Sequence, residues 1–226
     1  RSLVPDDERW ASVHFYSGSW AFMAAMFAVH ALFAAALTVG YRTAWATAGT
    51  WFLTVSLQAR TNVAGHGGDV VLRLLLFWAL FLPLAARWSV DAKRTGSKHA
   101  AGPQTVVSVG TAALVVQAAM VYVFAALLKT GDPWRVDFTA TYYALNIDQF
   151  ATPLGKLVRE YPAFMRWATV ATLALEGLGP LLLFVPWKVG PVRTAVIAAF
   201  VGFHLGLAAC MHIGNFPFVC SAMWLG

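Results

Sequence analysis

Six apolar runs constrain this chain more than any other feature, at about 18–39, 44–59, 70–87, 104–128, 164–187 and 191–212. A bilayer's hydrocarbon core is about 30 Å thick and takes roughly 20 mostly apolar helical residues to cross. Each run approaches or meets that length, and a seventh, Phe216 to Leu225, begins a further helix. The pattern predicts an all-α fold, a polytopic integral membrane helical bundle of about six to seven transmembrane helices in a single domain. Composition agrees: 59% of residues are hydrophobic and 12% are charged. Soluble domains carry about 25% charged residues, because their surfaces must face water. The lipid bilayer is therefore the first partner, and the chain's ending inside an apolar run reads as a fragment of something longer.

The net charge of +6 would raise nucleic acid as a partner in a soluble protein. Here the basic residues sit in loops between apolar runs, so they read as orientation signals and no nucleic acid is expected. Arg42, Arg87, Lys93, Arg94, Lys98, Lys188 and Arg193 fall in short alternate loops, with Asp91 as their lone acid. The positive-inside rule places those loops in the cytoplasm and residues 129–163 outside, in a membrane such as the bacterial cytoplasmic (inner) membrane. Trp10, Tyr16, Tyr41, Trp45, Trp88, Trp134, Tyr142, Tyr143 and Trp187 gather where apolar runs meet polar loops, as an interfacial aromatic belt does. Residues 134–163 mix aromatic, charged and apolar positions around a turn at Thr152–Pro153, which predicts one or two interfacial amphipathic helices. Arg1 to Trp10 is polar and acidic and shows no signal-peptide pattern. Cys210 and Cys220, if on one helix, stand about 15 Å apart, so free buried thiols are expected.

Ionisable residues inside spans are costly and are functional candidates by default. His30, Glu176 and His204 fall near the middle of their runs, and His212 near the outer end of the last full one. Glu176 lies in Leu-Glu-Gly-Leu-Gly-Pro (175–180), where a protonated glutamate tying two helices together is the structural alternative to a chemical role. On one helix, His204 and His212 lie within about 80° of each other and could line one pocket. That spacing alone does not make a metal site, and no metal is predicted. A haem held between His30 and His204 is a third geometry to weigh. His66-Gly67-Gly68-Asp69 opens the third run, where Asp69 is placed to cap the helix. Lys129 ends the fourth run, followed by Thr130-Gly131-Asp132-Pro133-Trp134. By position it is an interfacial anchor; partly buried, a neutral lysine can serve as a general base.

Arg-Trp-Ser-Val-Asp (87–91), after an outer Gly-Gly-Asp and a Leu-Pro-containing span, resembles the HTTM membrane domain. That domain occurs in bacterial homologues of vitamin K-dependent γ-glutamyl carboxylase. Leu128-Lys129 through Trp134 is similar to the carboxylase segment in which a lysine precedes a tryptophan by five residues. Phe203-His204 through Gly214 and Phe216 resembles the family's last matching helix, and Glu176 falls where the family carries an acid within a span. The resemblance implies quinol-linked chemistry: Lys129 as the base toward a vitamin K-like quinone or hydroquinone, with Glu176 and His204 as further catalytic candidates. Asp69, His66, Trp134 and His212 are then cofactor-binding candidates. The asparagine–histidine pair of the carboxylase pocket aligns here with Gly67-Gly68, or with nearby His66 and Asp69, and the family's large extramembrane domain and first span are expected to be missing. A non-catalytic accessory subunit of a membrane complex or peptide-maturation system, with a secreted peptide or membrane-complex partner, is the alternative.

Overall fold

The computed structural model describes residues 12–61, 65–94 and 107–225. The opening segment, with Trp10, and the basic loop through Lys98 lie outside the described residues, as does the start of the fourth run. The chain packs as two compact units, Arg1–Leu114 and Val115–Gly226, each described here by itself.

In the first unit α1 (Trp20–Val39) and α2 (Thr43–Arg60) form a hairpin, followed by α3 (Gly67–Ala79) and the short α4 (Val90–Arg94). The apolar α1 is long enough to cross a bilayer. On α2, Thr43, Thr47, Thr50, Thr54 and Ser56 are buried. A polar side chain at low dielectric needs an internal acceptor. Thr47 and Thr50 find one by donating to the carbonyls of Thr43 and Ala46, one turn back. The expected third span is shorter than the sequence suggested, because α3 stops at Ala79 where the run 70–87 predicted a longer helix. Pro83 has no N–H to donate to the Ala79 carbonyl and disfavours helical geometry at Leu82. The chain instead closes with three-residue turns, Phe81 N–H to Trp78 O at 2.9 Å among them.

A clasp holds the turn between α1 and α2. Gly40 ends α1 at φ 68, a left-handed geometry that suits glycine. A Cβ there would collide with Ser89, standing 2.8 Å from its Cα. Arg42, the N-cap of α2, also has a positive φ and offers no side-chain cap. Asp91 caps the helix across 48 residues: its carboxylate accepts from Arg42 N–H at 3.0 Å, Thr43 N–H at 2.8 Å and Thr43 Oγ1 at 2.8 Å. The Thr43 backbone and hydroxyl bonds hold the Asp91 carboxyl below its ordinary range, with Arg42 N–H and the Arg94 charge adding to them. The lone acid of the basic loops is therefore a helix cap.

A second polar knot ties the segment before α1 to the last turns of α2. His14 is fully buried, its Nδ1 2.7 Å from Ser56 Oγ, while Ser12 donates to the Ser56 carbonyl at 2.6 Å. Arg60 donates to the His14 carbonyl. Burial first, then the neighbouring Arg60 and His30, lowers the His14 pKa.

In the second unit α5 (Val109–Leu128, entering from the first) meets α9 (Pro162–Leu178), α10 (Val189–Cys210) and α11 (Phe216–Leu225). Pro180–Phe184 continues α9 as a 3-10 turn, giving a 23-residue apolar stretch. With α1, α5 and α10 this makes four stretches, among the described residues, long and apolar enough to cross a membrane. The all-α, membrane-type bundle is thus observed.

Between α5 and α9 lie three short helices, one more than the sequence suggested: α6 (Asp132–Arg135), α7 (Ala140–Leu145) and α8 (Pro153–Val158). Thr141 Oγ1 donates to Met165 O at 2.7 Å and pins α7 to α9. The expected turn at Thr152–Pro153 is the N-terminus of α8, where Thr152 Oγ1 accepts from Gly155 N–H and donates to Ala209 O at 2.7 Å. Ala151 bridges antiparallel to Met211, and His212 N–H donates to Phe150 O at 2.6 Å. His204 and His212 therefore do not share a helix, since α10 ends at Cys210 and the chain turns extended at Met211. Cys210 and Cys220 also occupy different helices, α10 and α11; both thiols are free as expected, but only Cys220 is buried, Cys210 being partly exposed.

Two outcomes follow. Lowering pH protonates His14 beside Arg60, so that knot's stabilisation is complete above the ordinary imidazole value of 6.5 and is lost as pH falls through the depressed folded value. His14→Gln should flatten the acid limb of the melting temperature against pH. Gly155 packs on the Cys210 carbonyl, and an added Cβ would stand 3.2 Å from Cys210 C and from Leu145 Cδ2. Gly155→Ala should destabilise the second unit by roughly 1–3 kcal/mol in chemical unfolding.

Candidate functional site

Lys129 follows α5 directly, where four carbonyls lack helical partners and a cation is favoured. Its Nζ reaches back along the helix to Ala125 O at 3.3 Å and forms an ion pair with Glu176 Oε2 of α9. The Lys129 side chain is 20% exposed and that of Glu176 9%, so the pair is largely withdrawn from solvent. The two helices are close here, for a Cβ on Gly177 would stand in ordinary contact with Ala126 Cβ at 3.7 Å. Trp134, at the end of the same loop, sets its ring 5.1 Å from Lys129 Nζ, a cation–π distance.

Arg135 completes the end of α5. Its Nε donates to Lys129 O at 2.8 Å and its Nη2 to Ala126 O at 2.7 Å, satisfying carbonyls that the helix leaves open. Beside it, a groove of about 570 Å³ runs between α5 and α9, lined by apolar side chains that include Leu127, Leu173 and Leu181.

His204, on α10, is 1% exposed. Its Nε2 lies 2.6 Å from the Tyr122 hydroxyl of α5, and its Nδ1 is buried without a hydrogen-bond partner. An aromatic cage surrounds this pair: Phe200 stacks on Trp224 at 4.0 Å and 10°, and Phe216 meets His204 edge-on at 5.6 Å. Tyr122 precedes Lys129 by seven residues, two helical turns, so both project from about one face of α5.

The residues expected to act together thus fall into separate settings. Lys129, Glu176 and Trp134 converge. His204 lies in the same unit, engaged by Tyr122. His212 is exposed, beyond the end of α10. In the first unit, His66 and Asp69 form a capping box on α3: His66 Nδ1 accepts from Gly68 N–H at 3.0 Å, and Asp69 accepts from His66 N–H at 3.0 Å. They also line an outward concavity of about 350 Å³ with Gln58 and Arg73. His30 meets Thr54 Oγ1 through its Nε2 at 3.2 Å. Among the described residues no three His, Cys, Asp or Glu side chains gather as a metal site.

Tyr122 and Arg135 escaped the sequence reading. The seven-residue step from Tyr122, the one tyrosine of an apolar helix, to Lys129 was the available signal. Arg135 carried none beyond its place in a charged loop, since its role depends on carbonyls exposed by the end of α5.

No curated protein and no solved structure matches this chain. A family model described as the HTTM domain matches residues 11–225, nearly the whole length. This family is linked to vitamin K-dependent carboxylase-like membrane proteins. The chain belongs to the HTTM-domain family.

Proposed function

We propose that this chain is a membrane enzyme resembling the vitamin K-dependent carboxylase, with Lys129 as general base toward a lipid-soluble hydroquinone at the outer membrane face. The observation that carries this reading is the convergence of Lys129, Glu176 and Trp134 at the end of α5. The surroundings suit such a cofactor, since Leu127 and Leu128 are exposed beside an aromatic ring and a single paired lysine. A bound hydroquinone would supply an acidic hydroxyl and two reducing equivalents.

Lys129 and Glu176 handle the proton. As an ammonium paired with carboxylate, Lys129 cannot accept one. When its proton moves along the existing hydrogen bond to Glu176, Lys129 becomes a neutral amine with a free electron pair. The exchange leaves the net charge of the pair unchanged, and low dielectric weakens the advantage of the ionic form. Trp134 offers its face to a cation at Nζ, so it stabilises Lys129 once a proton has been accepted. Tyr122 and His204 form a second polar pair within the same unit, buried and engaged with each other.

One observation favours the alternative of a non-catalytic subunit: Lys129 and Glu176 satisfy each other and tie α5 to α9. A purely structural tie can be exchanged for well-packed apolar side chains with little loss. Quinol oxidation by the purified chain separates the two readings. A general base contributes roughly 100- to 10,000-fold, so Lys129→Ala should lower turnover by at least about 100-fold with its helical signal intact. Glu176→Gln should slow turnover while leaving quinol binding in place. Turnover at wild-type level in a folded Lys129→Leu/Glu176→Leu double variant would show the pair to be structural.

A further inference from the structure

We propose that the groove between α5 and α9 is a binding site for one anionic phospholipid, its acyl chain along α9 and its phosphodiester on Arg135. The proposal stands independently of the role assigned to Lys129.

The groove has the size of a ligand site, about 570 Å³. Val123 and Leu127 of α5 form one wall, Val170, Leu173 and Leu181 of the α9 stretch the other. Leu127, Leu178 and Leu181 are more than half exposed, so the groove opens sideways along helices that are long and apolar enough to cross a bilayer. Such an opening meets lipid chains, and its walls offer nothing polar to hold a water-soluble ligand.

Arg135 makes the groove selective. It is the one charged residue lining it. Of the five N–H donors of a guanidinium, two go to the Lys129 and Ala126 carbonyls, which fix the plane of the group. The remainder are uncommitted. Among the described residues no carboxylate lies within ion-pair distance of Arg135, Asp132 and Asp137 of its own segment included. Lys129, the other nearby cation, is already neutralised by Glu176. A phosphodiester satisfies a planar fork of donors and cancels its charge, where a zwitterionic headgroup brings a competing cation of its own. Apolar walls and an unpaired guanidinium at one end therefore match the two halves of one molecule.

The test is native mass spectrometry of the full chain released from nanodiscs of equimolar phosphatidylglycerol and phosphatidylcholine. One phosphatidylglycerol should be retained per chain. Arg135→Gln should lower the preference over phosphatidylcholine by roughly tenfold, as loss of a charge-assisted hydrogen bond implies, and Arg135→Lys should restore part of it. Ala174→Phe, which places a ring in the groove, should remove retained lipid of either kind. Equal retention of the two lipids by the wild-type chain would overturn the proposal, as would an unchanged preference in Arg135→Gln or a quinone retained in place of phospholipid. If Arg135→Gln does not fold, the wild-type preference and the Ala174→Phe variant decide. Lipid retention and quinol turnover are separate readouts, so failure here and failure of the base assignment are read separately.

Discussion

A lysine and a glutamate facing each other between apolar helices organise one end of the second unit. Removing either partner would leave a charge in surroundings that solvate it poorly, a loss that commonly reaches 3–5 kcal/mol. The arrangement is therefore held by further contacts. Arg135 satisfies the carbonyls that α5 leaves open, and Trp134 covers the ammonium. Both contacts come from α6, so the end of α5, α6 and the last turn of α9, which carries Glu176, form one piece of structure. The neighbouring groove shares those elements, with Arg135 serving the helix end on one side and facing the apolar cleft on the other.

The same requirement, that polar groups within a bundle find internal partners, explains the first unit. There neutral side chains meet much of it. The hydroxyls of α2 turn back onto its own carbonyls, Thr54 meets His30, and Ser12, His14 and Ser56 close on one another. Asp91 caps the N-terminus of α2, and His66 with Asp69 caps that of α3. Side chains that looked chemically suggestive in isolation are, in this unit, the terms by which backbone and side-chain polarity are settled.

How much of this was legible in the sequence follows the range of the interactions involved. Apolar run length decides whether a helix can span a bilayer, and that is local, so the all-α membrane architecture could be read directly. Capping is local too, and Asp69 was recognisable from its place before an apolar run. The stop at Ala79 was less visible, because hydropathy continues smoothly through Phe81 and Leu82 while Pro83 withdraws a hydrogen bond. The shared face of His204 and His212 failed for a related reason. It assumed one continuous helix, and the chain leaves α10 at Cys210 to pair with Phe150 and Ala151. The Asp91 cap and the Lys129–Glu176 pair join residues nearly fifty positions apart, and no periodicity in the sequence signals such a match. Family likeness drew attention to Lys129 and to Glu176 separately; only the fold joins them.

That junction bears on what the lysine can do. A lone lysine at the end of α5 would snorkel toward water as an ammonium, held by the helix dipole and by hydration. Lys129 instead bends back along α5 toward Ala125 and Glu176, exchanging hydration for one carbonyl and one carboxylate. The carboxylate is the partner able to take the proton away again. Glu176 sits four residues before Pro180, which has no N–H to donate to the Glu176 carbonyl, so α9 gives way to a 3-10 turn one step beyond the pair. Gly179, just before the break, lies against α10, where an added Cβ would stand 2.9 Å from Phe200 Cε2. An anchor requires only a cation near a helix end. Burying that cation against a group that can exchange its proton goes beyond what an anchor needs, and it is this geometry on which the proposed role of Lys129 rests.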